Sequence, residues 1–173
     1  MKQGVLQVYT GNGKGKTTAA FGLALRASGA GLNTVIIQFM KRGDSSEIEA
    51  CKKLDKVTVH SFGAHGFVRK GAELDDSHYV AAERAMLQAR KTYMDESVDL
   101  LILDELCNAV YFELVAEEEM LSLLRVRPHN LEVVVTGRNA PPALIEMADL
   151  VTEMQEIKHP YQQGMEARAG IDF

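Results

Sequence analysis

Residues 10–17 read Thr-Gly-Asn-Gly-Lys-Gly-Lys-Thr, and this glycine-rich stretch decides the fold. It lies between an apolar run at residues 5–9 and a helix-like segment at residues 18–26. Glycine takes positive φ freely, so successive backbone N–H groups can converge on one anion. A helix that begins directly afterwards adds its unpaired N-terminal donors and its dipole. The stretch therefore predicts a phosphate-binding loop between a strand and a helix.

The end of this loop carries the side chains that a nucleotide site needs. We expect Lys16 to reach phosphate oxygens and the Thr17 hydroxyl to bind Mg²⁺. The G-x-x-x-x-G-K-[ST] template has glycine where Thr10 stands, and here glycine comes one place later, at Gly11. We interpret the loop as a shortened variant of that template. The structural alternative is a glycine-rich turn with an incidental lysine.

Length and composition favour one globular domain that acts on a small molecule. The chain has 173 residues, 46% of them hydrophobic and 25% charged, and its net charge is −5. No apolar run approaches the roughly 20 residues that span a bilayer, and the chain starts with a strand pattern rather than a signal peptide. We therefore expect a cytoplasmic protein that binds neither nucleic acid nor membranes. Its cysteines, Cys51 and Cys107, can form neither a disulfide framework nor a four-cysteine zinc site.

Short apolar runs alternate with helical patterns along the chain, which predicts one α/β domain over residues 1–173. We expect a mostly parallel sheet of about six strands, each buried on both faces. The strands are predicted at residues 5–9, 34–40, 57–62, 100–103, 131–136 and 150–154. Ligands of such a sheet bind at the carboxyl ends of its strands.

Helices are predicted between these strands. Ser46-x-x-Glu49 has the pattern of a capping box that opens a short helix. Residues 75–94 have the period of a long helix, and the helix after the loop is expected to end at Gly29 and Gly31. The buried face of the long helix is predicted to carry Val80, Ala81, Ala85, Met86 and Ala89.

Residues 98–105 read Val-Asp-Leu-Leu-Ile-Leu-Asp-Glu, an apolar strand that ends in two carboxylates. This pattern is typical of a Walker-B metal site, because Asp104 and Glu105 would lie beside Thr17 at the carboxyl edge of the sheet. Oxygen ligands from threonine, carboxylate, phosphate and water suit Mg²⁺. Carboxylates that only cap the sheet are the alternative, and the loop upstream makes us favour metal binding.

Residues 131–139 read Leu-Glu-Val-Val-Val-Thr-Gly-Arg-Asn, a strand that delivers an arginine to the same edge. The prolines at positions 141 and 142 then predict the start of another helix. The guanidinium of Arg138 could bind triphosphate oxygens in bidentate fashion. A surface arginine without such a role is the alternative.

Five blocks of sequence, in this order, resemble the P-loop type of ATP:corrinoid adenosyltransferase over essentially the whole chain. The resemblance implies a P-loop NTPase (RecA-like) three-layer α/β fold. It also implies transfer of the 5′-deoxyadenosyl group of ATP to Co(I) of a reduced corrinoid, with triphosphate leaving. Co(I) is itself the nucleophile, so no Ser, Cys or His nucleophile is needed. The blocks are Gly-Asn-Gly-Lys-Gly-Lys-Thr-Thr-Ala-Ala-Phe-Gly (11–22), Val-Ile-Ile-Gln-Phe-Met-Lys (35–41), Asp-Leu-Leu-Ile-Leu-Asp-Glu-Leu (99–106), Val-Val-Thr-Gly-Arg-Asn-Ala-Pro (134–141) and Ile-Lys-His-Pro-Tyr-x-x-Gly-x-x-Ala-x-x-Gly-Ile-Asp-Phe (157–173).

The resemblance also implies a set of site residues. Lys16 and Arg138 would support the transition state, and Thr17 and Glu105, with Asp104 beside them, would hold Mg²⁺ or Mn²⁺. Phe62 and Phe67 would contact the corrinoid. The ATP-binding residues would be Gly11, Asn12, Gly13, Lys14, Gly15, Lys16, Thr17, Thr18 and Arg138.

The segment after the third strand departs from the family pattern. Members that handle complete cobalamin have a Gly-Phe-Thr-Trp-like segment, whose aromatic rings help to remove the lower ligand of Co(II). Here residues 62–69 read Phe-Gly-Ala-His-Gly-Phe-Val-Arg, and Arg69 stands at the tryptophan position. We therefore expect weak activation of Co(II). His65 lies between glycines in this loop, and a solvated histidine is favoured over a cobalt ligand.

Partners and alternative functions follow from the same comparison. A flavoprotein that reduces the cobalt and a second copy of the chain in a homodimer are both compatible with the resemblance. The acceptor is left open among cobalamin, cobinamide and an earlier corrinoid. One alternative function is a nucleotide-dependent corrinoid-binding or regulatory protein without turnover. The other is a generic P-loop ATPase or nucleoside kinase, for which the sequence identifies no catalytic base.

Overall fold

The computed structural model describes residues 3–64 and 74–172, and these form one parallel β-sheet between two layers of helices. The strands are β1 (Leu6–Thr10), β2 (Thr34–Phe39), β3 (Val57–Phe62), β4 (Leu100–Asp104), β5 (Glu132–Thr136) and β6 (Leu150–Glu153). Their order in the sheet is β3-β2-β4-β5-β1-β6, and each neighbouring pair is parallel. The predicted six-stranded α/β fold is confirmed.

Helices cover both faces of the sheet. They are α1 (Lys16–Gly29), α2 (Ser46–Cys51), α3 (Asp76–Tyr93), α4 (Leu106–Tyr111), α5 (Glu117–Arg125) and α6 (Pro142–Met147). On one face Phe21 of α1 packs with Ile36 and Ile102, and on the other Met86 of α3 belongs to the cluster that contains Leu103. Alternate residues of a strand thus supply two separate cores. In the described ranges, no helix is both long enough and apolar enough to cross a bilayer.

Strand β6 differs from its prediction, because it is exposed along its whole length. Leu150 and Val151 keep 43% and 40% of their surface accessible. An edge strand has a neighbour on one side only, and β6 pairs with β1 alone. The apolar composition of β6 therefore predicted correctly that these residues form a strand. It predicted wrongly that the strand is buried.

The predicted helices lie at the expected positions, but the buried face predicted for α3 is partly wrong. In α3 the buried stripe contains Ala82, Ala85, Met86 and Ala89, while Val80 is exposed. Val80 lies two residues from Ala82, which is about 200° around the helix, and therefore faces solvent.

At the helix ends, the predicted capping box is wrong and the predicted glycine stop is confirmed. The N-cap of α2 is Ser45, which makes no side-chain cap hydrogen bond, and Ser46 is the first helical residue. Helix α1 ends at Gly29, and Gly31 follows in the left-handed region with φ 77°. Pro142 begins α6, as its position after the fifth strand predicted.

Candidate functional site

A cavity of about 690 Å³ lies at the carboxyl ends of the strands. The phosphate loop and the start of α1 form one side of it, and residues that follow β2, β4 and β5 form the floor. Part of the C-terminal segment after β6 forms the remaining wall. The lining residues from the loop and the strand ends include Asn12, Gly13, Lys14, Gly15, Lys16, Thr17, Thr18, Lys41, Glu105 and Arg138.

The loop closes tightly against the end of β6. The backbone N–H of Gly13 donates a hydrogen bond to the carbonyl oxygen of Met154 at 2.7 Å. A Cβ atom at Gly13 would lie 2.7 Å from that same oxygen, so only glycine fits there. Gly11 and Gly15 have φ of 95° and 120°, which residues with a Cβ rarely adopt. The glycines thus shape the loop in the way that the sequence predicted.

Lys16 lies inside this loop. Its Nζ donates hydrogen bonds to the carbonyl oxygens of Gly11 and Gly13, both at 2.7 Å. Burial lowers the pKa of Lys16, and the charge of Glu105 opposes part of that effect. The ammonium group is therefore held at the centre of the loop, where an anion bound by the loop would meet it.

Asp104 is fully buried at the end of β4 and accepts four hydrogen bonds. Its Oδ1 accepts from Oγ1 of Thr17 at 2.9 Å and from Oγ1 of Thr136 at 2.8 Å. Its Oδ2 accepts from Nε2 of Gln38 at 3.1 Å and from Nζ of Lys41 at 2.8 Å. The carboxylate therefore ties α1, β2, β4 and β5 together at the floor of the cavity.

Lys41 is a site residue for which the sequence predicted no role. It follows β2, and its Nζ lies 2.8 Å from Oδ2 of Asp104 and 3.1 Å from Oγ1 of Thr17. Burial lowers the pKa of Lys41, but the charge and hydrogen bond of Asp104 outweigh burial and raise it overall. Its side chain keeps 30% of its surface accessible, so the charged end still borders the cavity.

Glu105 follows Asp104 in a left-handed conformation with φ 65°. Its backbone N–H donates to Oγ1 of Thr136 at 3.0 Å, and its carboxylate lines the cavity. Burial raises the pKa of Glu105, the charge of Asp104 raises it further, and the neighbouring cations oppose both effects. A half-buried carboxylate in this position favours the approach of a cation.

Backbone strain is concentrated at these strand ends. Met40, just before Lys41, has φ 59°, and Asn139, just after Arg138, has φ 55°. Together with Glu105, three residues with a Cβ thus take the left-handed conformation beside the cavity. Such conformations cost about 1–3 kcal/mol each and are found mainly at functional sites.

Arg138 reaches the cavity from the end of β5. Its backbone N–H donates to Oδ1 of Asn108 at 2.6 Å, so α4 fixes the position of the main chain. Gly137 has φ 138°, and a Cβ atom there would lie 2.8 Å from Cβ of Cys107. The exposed arginine side chain lines the cavity, where its guanidinium can reach an anion.

Phe62, one of the two aromatic residues predicted to contact the corrinoid, is not part of this cavity. Phe62 ends β3, is half-buried and packs against the core cluster that contains Phe39. The cavity lining does not include it. His65, Phe67 and Arg69 lie outside the described residues. The structure thus brings Lys16, Thr17, Asp104, Glu105 and Arg138 together and leaves Phe62 apart.

The sequence predicted no role for the C-terminal segment after β6, although part of this segment borders the cavity. His159, Tyr161 and Asp172 line the cavity. Nζ of Lys14 forms an ion pair with Asp172 and donates to the carbonyl oxygen of Ile171 at 2.8 Å. The end of the chain is therefore fastened to the phosphate loop itself. Periodicity could not predict this contact, because the segment has little regular secondary structure.

The chain matches known proteins over nearly its entire length. Residues 2–173 match the family model described as ATP:corrinoid adenosyltransferase BtuR/CobO/CobP. A corrinoid adenosyltransferase of Escherichia coli strain K12 is 35% identical, and the match covers 99% of this chain and 87% of that protein. One from Pseudomonas aeruginosa is 37% identical, with 99% and 85% covered. Corrinoid adenosyltransferase CobA of Salmonella typhimurium is 34% identical, with 99% and 87% covered.

Proposed function

This chain belongs to the ATP:corrinoid adenosyltransferase family, and from that membership we propose that the cavity at the strand ends binds ATP and Mg²⁺ for adenosyl transfer. The protein is a transferase that adds the adenosyl group to a corrinoid in cobalamin synthesis. The observation that carries the proposed site is the convergence of Lys16, Thr17, Glu105 and Arg138 on one cavity.

The proposed reaction is a displacement at the C5′ carbon of ATP. The electron pair of Co(I) forms the Co–C5′ bond, the C5′–O bond breaks, and its electrons leave with triphosphate. The protein needs no nucleophile of its own for this step. Its residues must hold C5′ in line with the cobalt and stabilise the charge that develops on the leaving oxygen.

The phosphate loop and two cations would hold the triphosphate. The N–H of Gly13 is bound to the carbonyl oxygen of Met154, so the other backbone N–H groups of the loop and the N-terminus of α1 would donate to phosphate oxygens. Lys16 would exchange its carbonyl partners for phosphate oxygens, which are stronger acceptors because they are charged. Arg138 would contact the polyphosphate from the opposite side. Both positive charges would then favour departure of the triphosphate.

The oxygen donors at the cavity fit Mg²⁺. The described residues contain no cluster of three or more His, Cys, Asp or Glu side chains that could hold a metal by themselves. Thr17 and Glu105 would therefore supply two oxygens, and phosphate and water the others, as Mg²⁺ usually requires in nucleotide sites. When bound, the ion would neutralise charge on the leaving triphosphate.

Asp104 would act on the metal site indirectly. Both of its oxygens already accept two hydrogen bonds, and the side chain has no accessible surface. Because Thr17 donates its hydroxyl proton to Asp104, a lone pair of Thr17 Oγ1 can face the cavity. We therefore assign ligand roles to Thr17 and Glu105, and a positioning role to Asp104.

ATP binding by a Lys16→Ala variant tests the proposed site. Loss of one charge-assisted hydrogen bond is worth roughly 1.5–3 kcal/mol, so ATP should bind about 10- to 150-fold more weakly. Isothermal titration with ATP and Mg²⁺ measures this change. The matched control is Lys52→Ala, because Lys52 is an exposed lysine paired with Glu49 away from the cavity. Equal ATP affinity in the Lys16 variant and the control would contradict the site.

A further inference from the structure

Lys41 places a positive charge directly beside the proposed metal ligands. Its Nζ contacts both Oγ1 of Thr17 and Oδ2 of Asp104, at 3.1 and 2.8 Å. Nothing in the proposed reaction described above requires a third cation at this point, since Lys16 and Arg138 already face the polyphosphate.

The ammonium must affect a divalent ion bound to Thr17. The hydroxyl of Thr17 has two lone pairs, and Lys41 donates to one of them, so an ion on the other would lie within a few ångströms of Nζ. A divalent ion and an ammonium group about 5 Å apart repel each other by enough to weaken binding about tenfold, even with the screening of bulk water. Glu47, whose charge also acts on Lys41, lines the same cavity.

A bound nucleotide changes how the charge of Lys41 acts on the metal site. Triphosphate oxygens that arrive with the metal give the ammonium an anionic partner, and they replace repulsion by attraction. The same lysine thus opposes a free divalent ion and favours the metal–nucleotide complex.

We propose that Lys41 reserves this site for the metal–nucleotide complex by weakening the binding of a free divalent ion. The proposal rests on the proposed function, because it takes Thr17 and Glu105 as the metal ligands. Lys41 is a positioning residue in this account: it holds the Thr17–Asp104 pair and sets the charge that the metal meets.

A purely structural ion pair makes a different prediction. If Lys41 only balanced the charge of buried Asp104, its removal would destabilise the fold and loosen Thr17, so a divalent ion would bind equally well or more weakly. Tighter binding of a free divalent ion after removal of Lys41 is expected if the charge of Lys41 opposes the ion.

The test is Mn²⁺ binding without nucleotide, measured by electron paramagnetic resonance with Mn²⁺ in place of Mg²⁺. We expect Lys41→Met and Lys41→Gln to bind Mn²⁺ about tenfold more tightly than the unmodified protein. Lys41→Arg keeps the charge and should match the unmodified protein. Lys52→Met is the control for loss of an exposed positive charge and should also match it.

Two further measurements keep the test decisive. The double variant Lys41→Met/Asp104→Asn removes both charges and leaves no unpaired buried carboxylate, so its Mn²⁺ affinity should return close to that of the unmodified protein. Lys41→Gln retains a hydrogen-bond donor toward Asp104 and gives the same prediction if Lys41→Met does not fold.

The possible failures are distinguishable. Unchanged or weaker Mn²⁺ binding by Lys41→Gln, with normal ATP-dependent Mn²⁺ binding, would overturn the role of Lys41 and leave the proposed function intact. An unmodified protein that binds no Mn²⁺ even with ATP present would overturn the metal site itself, and the role of Lys41 with it.

Discussion

We predict that Thr136 stabilises both the site and the sheet. Its Oγ1 donates to Oδ1 of Asp104 at 2.8 Å and accepts from the backbone N–H of Glu105 at 3.0 Å. Thr136→Val keeps the shape and removes both bonds. A lost hydrogen bond to a charged group costs about 1.5–3 kcal/mol, and a buried N–H left without a partner costs about 1–3 kcal/mol. We expect a total loss of about 3 kcal/mol, which for a domain of this size lowers Tm by about 6–12 °C.

Thr34 provides a matched control in the same sheet. Thr34 is also a buried threonine in a strand, but in the described part of the chain its Oγ1 has no hydrogen-bond partner. Thr34→Val replaces an unsatisfied hydroxyl with a methyl group, so Tm should stay unchanged or rise. Differential scanning calorimetry compares the two variants directly. An equal change of Tm in both would refute the view that the hydrogen bonds of Thr136 stabilise the strand ends.

Two other predictions concern Glu105 and the corrinoid. Burial raises the pKa of Glu105, so the folded protein disfavours the ionised carboxylate. Glu105 therefore contributes stability at low pH, and this contribution is lost as pH rises through the pKa of Glu105 in the folded protein. Glu105→Gln should therefore raise Tm at pH 7 and reduce Mg²⁺-dependent turnover about tenfold or more. A thermal melt measures the change of Tm, and a Mg²⁺ titration measures the metal dependence. A lower Tm with unchanged metal dependence would count against the ligand role of Glu105. In the unmodified protein, metal affinity should fall as pH is lowered, and it should begin to fall at a higher pH than for a carboxylate with the usual pKa. Finally, the family resemblance places tryptophan at the position of Arg69. We therefore expect good activity with pre-reduced cob(I)alamin and weak activity when cob(II)alamin must be reduced on the enzyme, with Phe67→Ala affecting the second assay more. Equal rates in the two assays would refute this.

Local sequence signals were enough to predict the sheet and most of the proposed site. All six strands lie within one residue of their predicted bounds, because each is a short apolar run between turn residues. Lys16, Thr17, Asp104, Glu105 and Arg138 meet at one cavity, because parallel strands present their carboxyl ends at the same edge.

The features that the sequence did not reveal depend on tertiary structure. Lys41 follows β2, and only the sheet order shows that β2 lies beside β4 and brings this lysine to Asp104. The exposure of β6 depends on its edge position, which its own residues do not encode. The left-handed conformations of Met40 and Glu105 have no glycine to signal them, because the surrounding contacts impose them.

The central claim is that the phosphate-loop cavity supports displacement at C5′ of ATP, and product analysis tests it most directly. The protein is incubated with ATP, Mg²⁺ and chemically reduced cob(I)alamin, and the cobalt–carbon chromophore is followed while the phosphate products are separated by ion exchange. We expect one triphosphate for each adenosylated corrinoid, with both products reduced together in Lys16→Ala. Stoichiometric ADP without a cobalt–carbon bond would contradict the claim.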